Sequence, residues 1–165
     1  MSTHEDLQGV GLRPTLPRVE VLDFFRARAH SHFSAEEVYQ LVNSDAGLMS
    51  LATVYRALRQ LVDTGLLASL TIGDGRAVYE LNDGKLHDHM VCTECGEIQE
   101  FFDPVIEARQ NAIAGQKDFL VSSRQLVMYG VCSACRQSGR HLSAGAKEAM
   151  LRHSALASST ENDDE

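Results

Sequence analysis

The chain has 165 residues, 44% of them hydrophobic, and a formal net charge of −8 at neutral pH. That suits a folded protein of one domain or two small ones, and no apolar run approaches the roughly 20 residues that a membrane-spanning helix needs. The acid excess argues against nucleic-acid binding through bulk charge, but it does not bear on a local basic patch.

The N-terminal stretch MSTHEDLQGV is acidic and polar, unlike a secretory signal, so a cytoplasmic location is expected. Helix signals follow. In PRVEVLDFFRAR, Val19, Leu22, Phe24 and Phe25 gather on one side at helical spacing. Ser34 and Glu37 fit a capping box, opening a second helix through Val38, Leu41 and Val42 that should stop between residues 43 and 47. A third helix is predicted from 51 to 64, with Ser50 as N-cap, Gly65 as its stop, and Val54, Leu58, Leu61 and Val62 as its apolar stripe. LLASLTIGDGRAVYEL then reads as two strands joined at Gly73, Asp74 and Gly75. Helices closed by a hairpin are the order of a winged helix-turn-helix.

Residues 82 to 86 hold Asp-Gly and no hydrophobic run, so they can act as a hinge. Beyond them, three short β runs (HDHMVC, EIQEFF and LVMYGVC) flank a helix begun by Asp103 as N-cap and Pro104 at the first helical position. Val105, Ile106 and Ile113 give that helix an apolar side, and Gly115 is expected to end it. The predicted fold class is α+β, with a winged helix-turn-helix over residues 1–83 and a small α/β unit over 84–136. The stretch 137–165, which carries no aromatic residue, is expected to be a mobile tail with at most an isolated helix over 144–156.

Four cysteines form two CxxC pairs, Cys92/Cys95 and Cys132/Cys135. In a reducing compartment they point to metal or redox chemistry. Each CxxC turn can offer two sulfurs to one ion, so the set predicts a Cys₄ zinc site stapling the two ends of the second unit. Four protein ligands would leave no open position, which makes that Zn²⁺ structural. The rival is a redox couple, but a thioredoxin-like pair opens a helix, whereas both pairs here are expected to end strands.

In HDHMVCTECGEIQEF, strand alternation turns His87 and His89 one way and Asp88, Met90 and Cys92 the other. The histidines should therefore serve a second site, which Glu100 could complete from a strand returning alongside. Mixed imidazole and carboxylate ligands suit Fe²⁺, Mn²⁺, Co²⁺ or Zn²⁺. By itself the HxH pair is weak evidence, and both histidines could equally be surface residues.

GLRPTLPRVEVL, HFSAEEVY, LATVYRAL, AVYEL, HDHMVCTECGEIQEF, IEARQ and YGVCSAC occur in this order over residues 9 to 136, and in this the chain resembles ferric uptake regulator proteins. The resemblance implies an N-terminal winged-helix DNA-binding domain, a C-terminal dimerisation domain, and a homodimeric, metal-dependent repressor of iron-uptake genes. It implies a sensor site of His32, Glu80, His87, His89 and Glu100, holding Fe²⁺ that Mn²⁺, Co²⁺ or Zn²⁺ can replace in vitro. Peroxide sensors of the family place aspartates at the positions of Glu80 and Glu100, and zinc sensors bring in a further cysteine; both differences favour iron.

A further site of His, Asp, Glu and His, found in many relatives, corresponds here to Leu86, Asp88, Glu107 and Arg124. Two ligands are missing, and the Arg124 guanidinium is expected to replace the cation between Asp88 and Glu107.

The resemblance also makes the third predicted helix the DNA reader, through Tyr55 and Arg56, with Arg59 one turn on and Arg13 and Arg18 near the duplex. The implied partner is double-stranded DNA with an A·T-rich palindromic operator, bound by a dimer or a dimer of dimers; no membrane partner is expected. The first 83 residues hold seven arginines, no lysine and eleven acids, a net count of −4, so affinity must come from clustered arginines. Rival readings are a zinc- or manganese-sensing regulator, a metal store, and a zinc-dependent hydrolase using His87, His89 and Glu100. For the hydrolase no general base is evident.

Overall fold

The computed structural model describes residues 2–43, 49–72, 75–138, 143–145 and 147–148. They fall into two compact units, Met1–Lys85 and Leu86–Glu165. The centre of the predicted hairpin turn and most of the 137–165 segment with its 144–156 helix lie outside the described residues, whereas the second predicted helix ends at Val42 with Asn43 as its C-cap.

The first unit runs α1 (Thr3–Gly9), α2 (Leu16–Arg26), β1 (Phe33–Ser34), α3 (Ala35–Val42), α4 (Leu51–Asp63), β2 (Leu67–Ile72) and β3 (Arg76–Leu81). Local chemistry fixes the helix starts. Ser34 and Glu37 close a reciprocal capping box on α3, and the Ser50 hydroxyl accepts from the Thr53 amide at the start of α4. Gly65 ends α4 with a φ of +74°, left-handed backbone that disfavours residues with a β-carbon. Asn43 spans the gap between α3 and α4, its side chain exchanging hydrogen bonds with both the amide and the carbonyl of Met49.

The apolar stripes meet in one core. Val21, Leu22, Phe25, Val38, Val54, Leu58 and Leu61 are fully enclosed, and Phe24, Phe25 and Phe33 pack edge to face at 4.9–6.0 Å between ring centroids. The strands form a sheet in the order β1-β3-β2. The antiparallel β2–β3 pair projects as a wing, completing a winged helix-turn-helix.

Two elements of this unit are not foreseen. β1 contributes two residues paired with Tyr79 and Val78, too few for periodicity to reveal. The acidic N-terminus folds as α1, opened by a capping box between Ser2 and Glu5. Leu7 anchors it in the core, and Arg26 of α2 pairs with Asp6 and donates to the Thr3 hydroxyl.

The second unit comprises β4 (Asp88–Cys92), β5 (Ile98–Phe101), α5 (Pro104–Gln116), β6 (Val127–Gly130) and α6 (Ser133–Gln137). β4 is central, antiparallel to β5 and parallel to β6, giving the order β5-β4-β6. Asp103 caps α5 through the amides of Val105 and Ile106. The helix runs past Gly115 to Gln116, with Lys117 as its C-cap. Among the described residues its expected apolar side is only partly covered: Ile106 is half-buried, but Val105 is 74% exposed, Ile113 45%, and nearby Leu120 94%. The buried side chains of this unit are few among the described residues: His89, Val91, Cys92 and Cys135.

Truncating Phe25 to Ala should cost the first unit about 3–5 kcal/mol, because the ring is fully enclosed and its aromatic neighbours cannot close the void. Urea unfolding followed by circular dichroism would measure this, and a loss below about 1 kcal/mol would contradict the packing described.

Candidate metal centres and nucleic-acid interface

The second unit brings its four thiols together. Cys92 ends β4 and Cys95 lies in the turn after it, while Cys132 and Cys135 lie around the start of α6. Their sulfurs are all within 4.8 Å of one another, and Cys95 Sγ is 3.8 Å from Cys132 Sγ. A tetrahedral ion with Zn–S bonds of about 2.3 Å has S···S edges of about 3.8 Å, so the cluster could hold a metal ion of that size.

The turn is built to aim the sulfurs. The Cys92 amide donates to the Glu97 carbonyl, the Gly96 amide donates to the Cys92 carbonyl, and Gly96 adopts a φ of +76°. Burial pushes the Cys92 thiol up, but backbone amides of Cys132, Cys95 and Glu94 outweigh burial and bring it down to about 6. Hydrogen bonding with the Cys132 and Cys95 sulfurs pushes Cys135 up to about 12, as expected where four thiols crowd and cannot all ionise without a cation.

One expectation fails here. Cys132 does not simply end a strand: it is the N-cap of α6, its sulfur accepting from the Cys135 amide. The strand-ending position therefore cannot be used against a redox pair. The convergence of all four sulfurs is what argues for a shared ion.

The five histidines and carboxylates expected to form a sensor site fall into two sets, one in each unit. In the first unit, β1 and β3 pair Phe33 with Tyr79, which sets His32 opposite Glu80. His32 Nε2 lies 3.0 Å from Glu80 Oε2, and both side chains are about 5% exposed. In the second, β4 and β5 pair His89 directly with Glu100. The His87 and His89 rings stand 4.9 Å apart, edge to face. His87 itself precedes the strand, which starts at Asp88. Along β4, His89 and Val91 are buried and Met90 is exposed, as alternation requires; Cys92 at the strand end is buried too.

Arg124 meets Glu107 at 2.5 Å and the Asn111 side chain at 3.1 Å. Asp88 lines the same small cavity with Leu86, His87 and Phe102. Among the described residues no hydrogen bond or ion pair links Arg124 to Asp88, so the guanidinium neutralises one of the two carboxylates expected of it.

On α4, Val54, Ala57, Leu58 and Leu61 face the core, leaving Tyr55, Arg56 and Arg59 on the exposed side. Among the described residues Arg56 reaches only the Thr53 hydroxyl at 3.4 Å, and Arg59 stands 3.9 Å from Asp63. Arg18 is committed differently. Its guanidinium donates to Gln60 Oε1 at 2.9 Å and to the Arg13 carbonyl at 2.7 Å, so it braces the Arg13 backbone against α4. Arg13 itself is exposed.

The ferric uptake regulator family profile matches residues 9–129. The chain is 44% identical over 140 residues to the ferric uptake regulation protein of Bordetella parapertussis, covering 85% of this chain and all of that one. The chain belongs to the ferric uptake regulator family. Among solved structures, the family's regulator from Pseudomonas aeruginosa with manganese superposes with a TM-score of 0.72 at 39% identity, covering 81% of this chain and 99% of that one. The ferric uptake regulator from Francisella tularensis with iron gives 0.70 at 36% identity, covering 76% and 96%.

Membership in this family makes the protein a metal-responsive transcription regulator and not an enzyme, which sets aside the hydrolase reading. No helix among the described residues is long and apolar enough to cross a membrane. What sequence reasoning missed at these sites is the partner of Tyr55: its hydroxyl donates to Glu36 at 2.7 Å, a contact between helices that no spacing rule foresees.

Cys92→Ser should remove the ion from the four-sulfur cluster and abolish cooperative unfolding of the second unit, whose apolar core is too small to stand alone. Elemental analysis and calorimetry would check it; full metal retention with an unchanged transition would refute the cluster.

Proposed function

We propose that this protein is an Fe²⁺-dependent repressor of iron-uptake genes that acts in the cytoplasm as a homodimer on an A·T-rich palindromic operator. The observation that carries the reading is the ligand chemistry. His32 and Glu80 form a close pair in the first unit, His89 faces Glu100 in the second, and His87 stands beside His89. Five nitrogen and oxygen donors, with no cysteine among them, suit a borderline divalent ion. Zinc in the four-sulfur cluster would hold the dimerisation unit together, leaving the second ion free to exchange. Manganese or zinc sensing is the alternative, since related structures hold manganese as well as iron.

In this reading all five side chains, from both units, share one ion. A bound ion supplies a positive charge that only one arrangement of the units can surround with all its ligands. That arrangement presents Tyr55, Arg56, Arg59 and Arg13 to the major groove and adjoining backbone, with Arg18 bracing them. Whatever metal affinity separates this arrangement from others appears as coupling to DNA. The uncovered apolar residues Val105, Ile113 and Leu120 supply a surface for a second copy, and two copies present two readers to a palindrome.

Arg124 is proposed to replace a cation at the Asp88–Glu107 position. It already neutralises Glu107, and it removes the need for a metal there. Arg124→Ala should destabilise the second unit by about 1–2 kcal/mol, because it leaves the partly buried Glu107 without its partner. It should also create measurable divalent-cation binding at that position. Unchanged stability and metal stoichiometry would count against the replacement.

His89→Ala should cost at least tenfold in Fe²⁺-dependent operator affinity while leaving dimer mass and helical content unchanged. Gel shifts with Fe²⁺ and then chelator would read this. Equal affinity of mutant and parent under both conditions would remove His89 from the sensor, and stronger activation by Mn²⁺ or Zn²⁺ than by Fe²⁺ would favour the alternative.

A further inference from the structure

Tyr55 stands on the exposed side of α4 with 42% of its surface open, yet its tip is tied. The hydroxyl donates to Glu36 Oε1 at 2.7 Å, and Glu36 lies in the first turn of α3. The bond thus crosses from one helix of the helix-turn-helix to the other. Glu36 is well placed to accept: the hydroxyl first, then its own backbone amide, hold its carboxyl below the usual carboxylate range, and Arg76 at the start of β3 adds a favourable charge. The same bond raises the Tyr55 phenol. At neutral pH the pair is therefore a phenol donating to a carboxylate, a short charge-assisted contact.

A tyrosine on a helix surface otherwise samples several rotamers, and fixing one of them on binding DNA has an entropic cost. Tying the tip beforehand removes that loss and fixes which edge of the ring meets a thymine methyl. The carboxylate also acts in a second way, since a negative charge near the duplex repels phosphate whatever the sequence. The first effect discriminates between sequences and the second does not.

We propose that Glu36 is a specificity-determining positioning residue: its hydrogen bond to the Tyr55 hydroxyl orients the ring for reading thymine-rich base edges. This deepens the DNA-binding reading above and rests on it. The two effects of Glu36 separate by substitution. Glu36→Gln removes the charge and keeps an acceptor, whereas Glu36→Ala removes both.

The test uses the full, metal-loaded chain and three labelled duplexes: an A·T-rich palindrome, its scrambled counterpart, and the palindrome with uracil replacing thymine. On the scrambled sequence the two Glu36 variants should bind more tightly than the parent by a similar charge-driven factor. Glu36→Gln should keep the palindrome-to-scrambled affinity ratio. Glu36→Ala should lower that ratio about three- to tenfold, the size expected for freeing one aromatic side chain. Tyr55→Phe should lower it equally, the double variant Glu36→Ala/Tyr55→Phe no further, and the uracil duplex should not distinguish Glu36→Ala from Glu36→Gln. Equal ratios for Glu36→Ala and Glu36→Gln overturn the proposal, as does a further loss in the Tyr55→Phe background. If the parent protein shows no metal-dependent preference for the palindrome, the DNA-binding reading and this proposal fall together; if it does and the Glu36 variants agree with each other, this proposal alone falls.

Discussion

The second unit depends on the convergence of four sulfurs more than on burial. A three-stranded sheet and two helices ordinarily cover one another's apolar faces, but among the described residues no side chain of α5 is fully buried. Enclosed apolar surface is scarce, and small domains in that position need a staple or a partner. An ion in the four-sulfur cluster would supply the staple at a telling place. The cluster joins the end of β4 to the segment after β6, and these strands lie parallel, a pairing that no hairpin can enforce. Because β4 also carries His89 and, across the ladder, faces Glu100, whatever fixes β4 fixes that histidine–carboxylate pair as well. On the reading proposed above, structural and sensing chemistry would be coupled through one strand, with one set of side chains near its start and the other at its end.

The first unit reaches the same kind of precision by other means. Its core is large enough to order itself, and the two-residue strand β1 is held against β3 beside a tightly capped helix. The Ser34–Glu37 box that begins α3 therefore also places His32 across from Glu80. A ligand pair with little exposed surface follows from a helix start, and the substitution most damaging to that pair need not involve either ligand.

How much of this could be read from the sequence varied with the physics involved. Long amphipathic helices declared themselves: α4 was predicted from 51 to 64 and runs Leu51–Asp63, because its stripe, cap and stop glycine all agree. The β2–β3 wing was equally plain from alternation. Ser2 and Glu5 carry the same capping signature as Ser34 and Glu37, but α1 has only seven residues and one apolar anchor, Leu7, too little for periodicity to mark a helix. The side of α5 called apolar is apolar, but periodicity does not say whether a face is covered by the same chain. Cys132 as a helix cap, Arg18 as a brace and the bond from Tyr55 to Glu36 are contacts made in three dimensions, and spacing along the chain carries no trace of them.

Charge shows why such contacts matter. A chain with net charge −8 cannot rely on diffuse attraction to a polyanion. On α4 the exposed arginines are lightly engaged, Arg56 with a hydroxyl and Arg59 at 3.9 Å from Asp63, so little must be broken to turn them toward phosphate. Arg18, by contrast, is spent on Gln60 and the Arg13 carbonyl, trading one potential phosphate contact for a fixed backbone. Tyr55 is fixed in turn by an acid that itself opposes phosphate. On the DNA-binding reading proposed above, this surface gives up general affinity for preset geometry. In such a protein a ligand that positions two readers can act as a switch, because weak nonspecific attraction leaves few complexes to form without it.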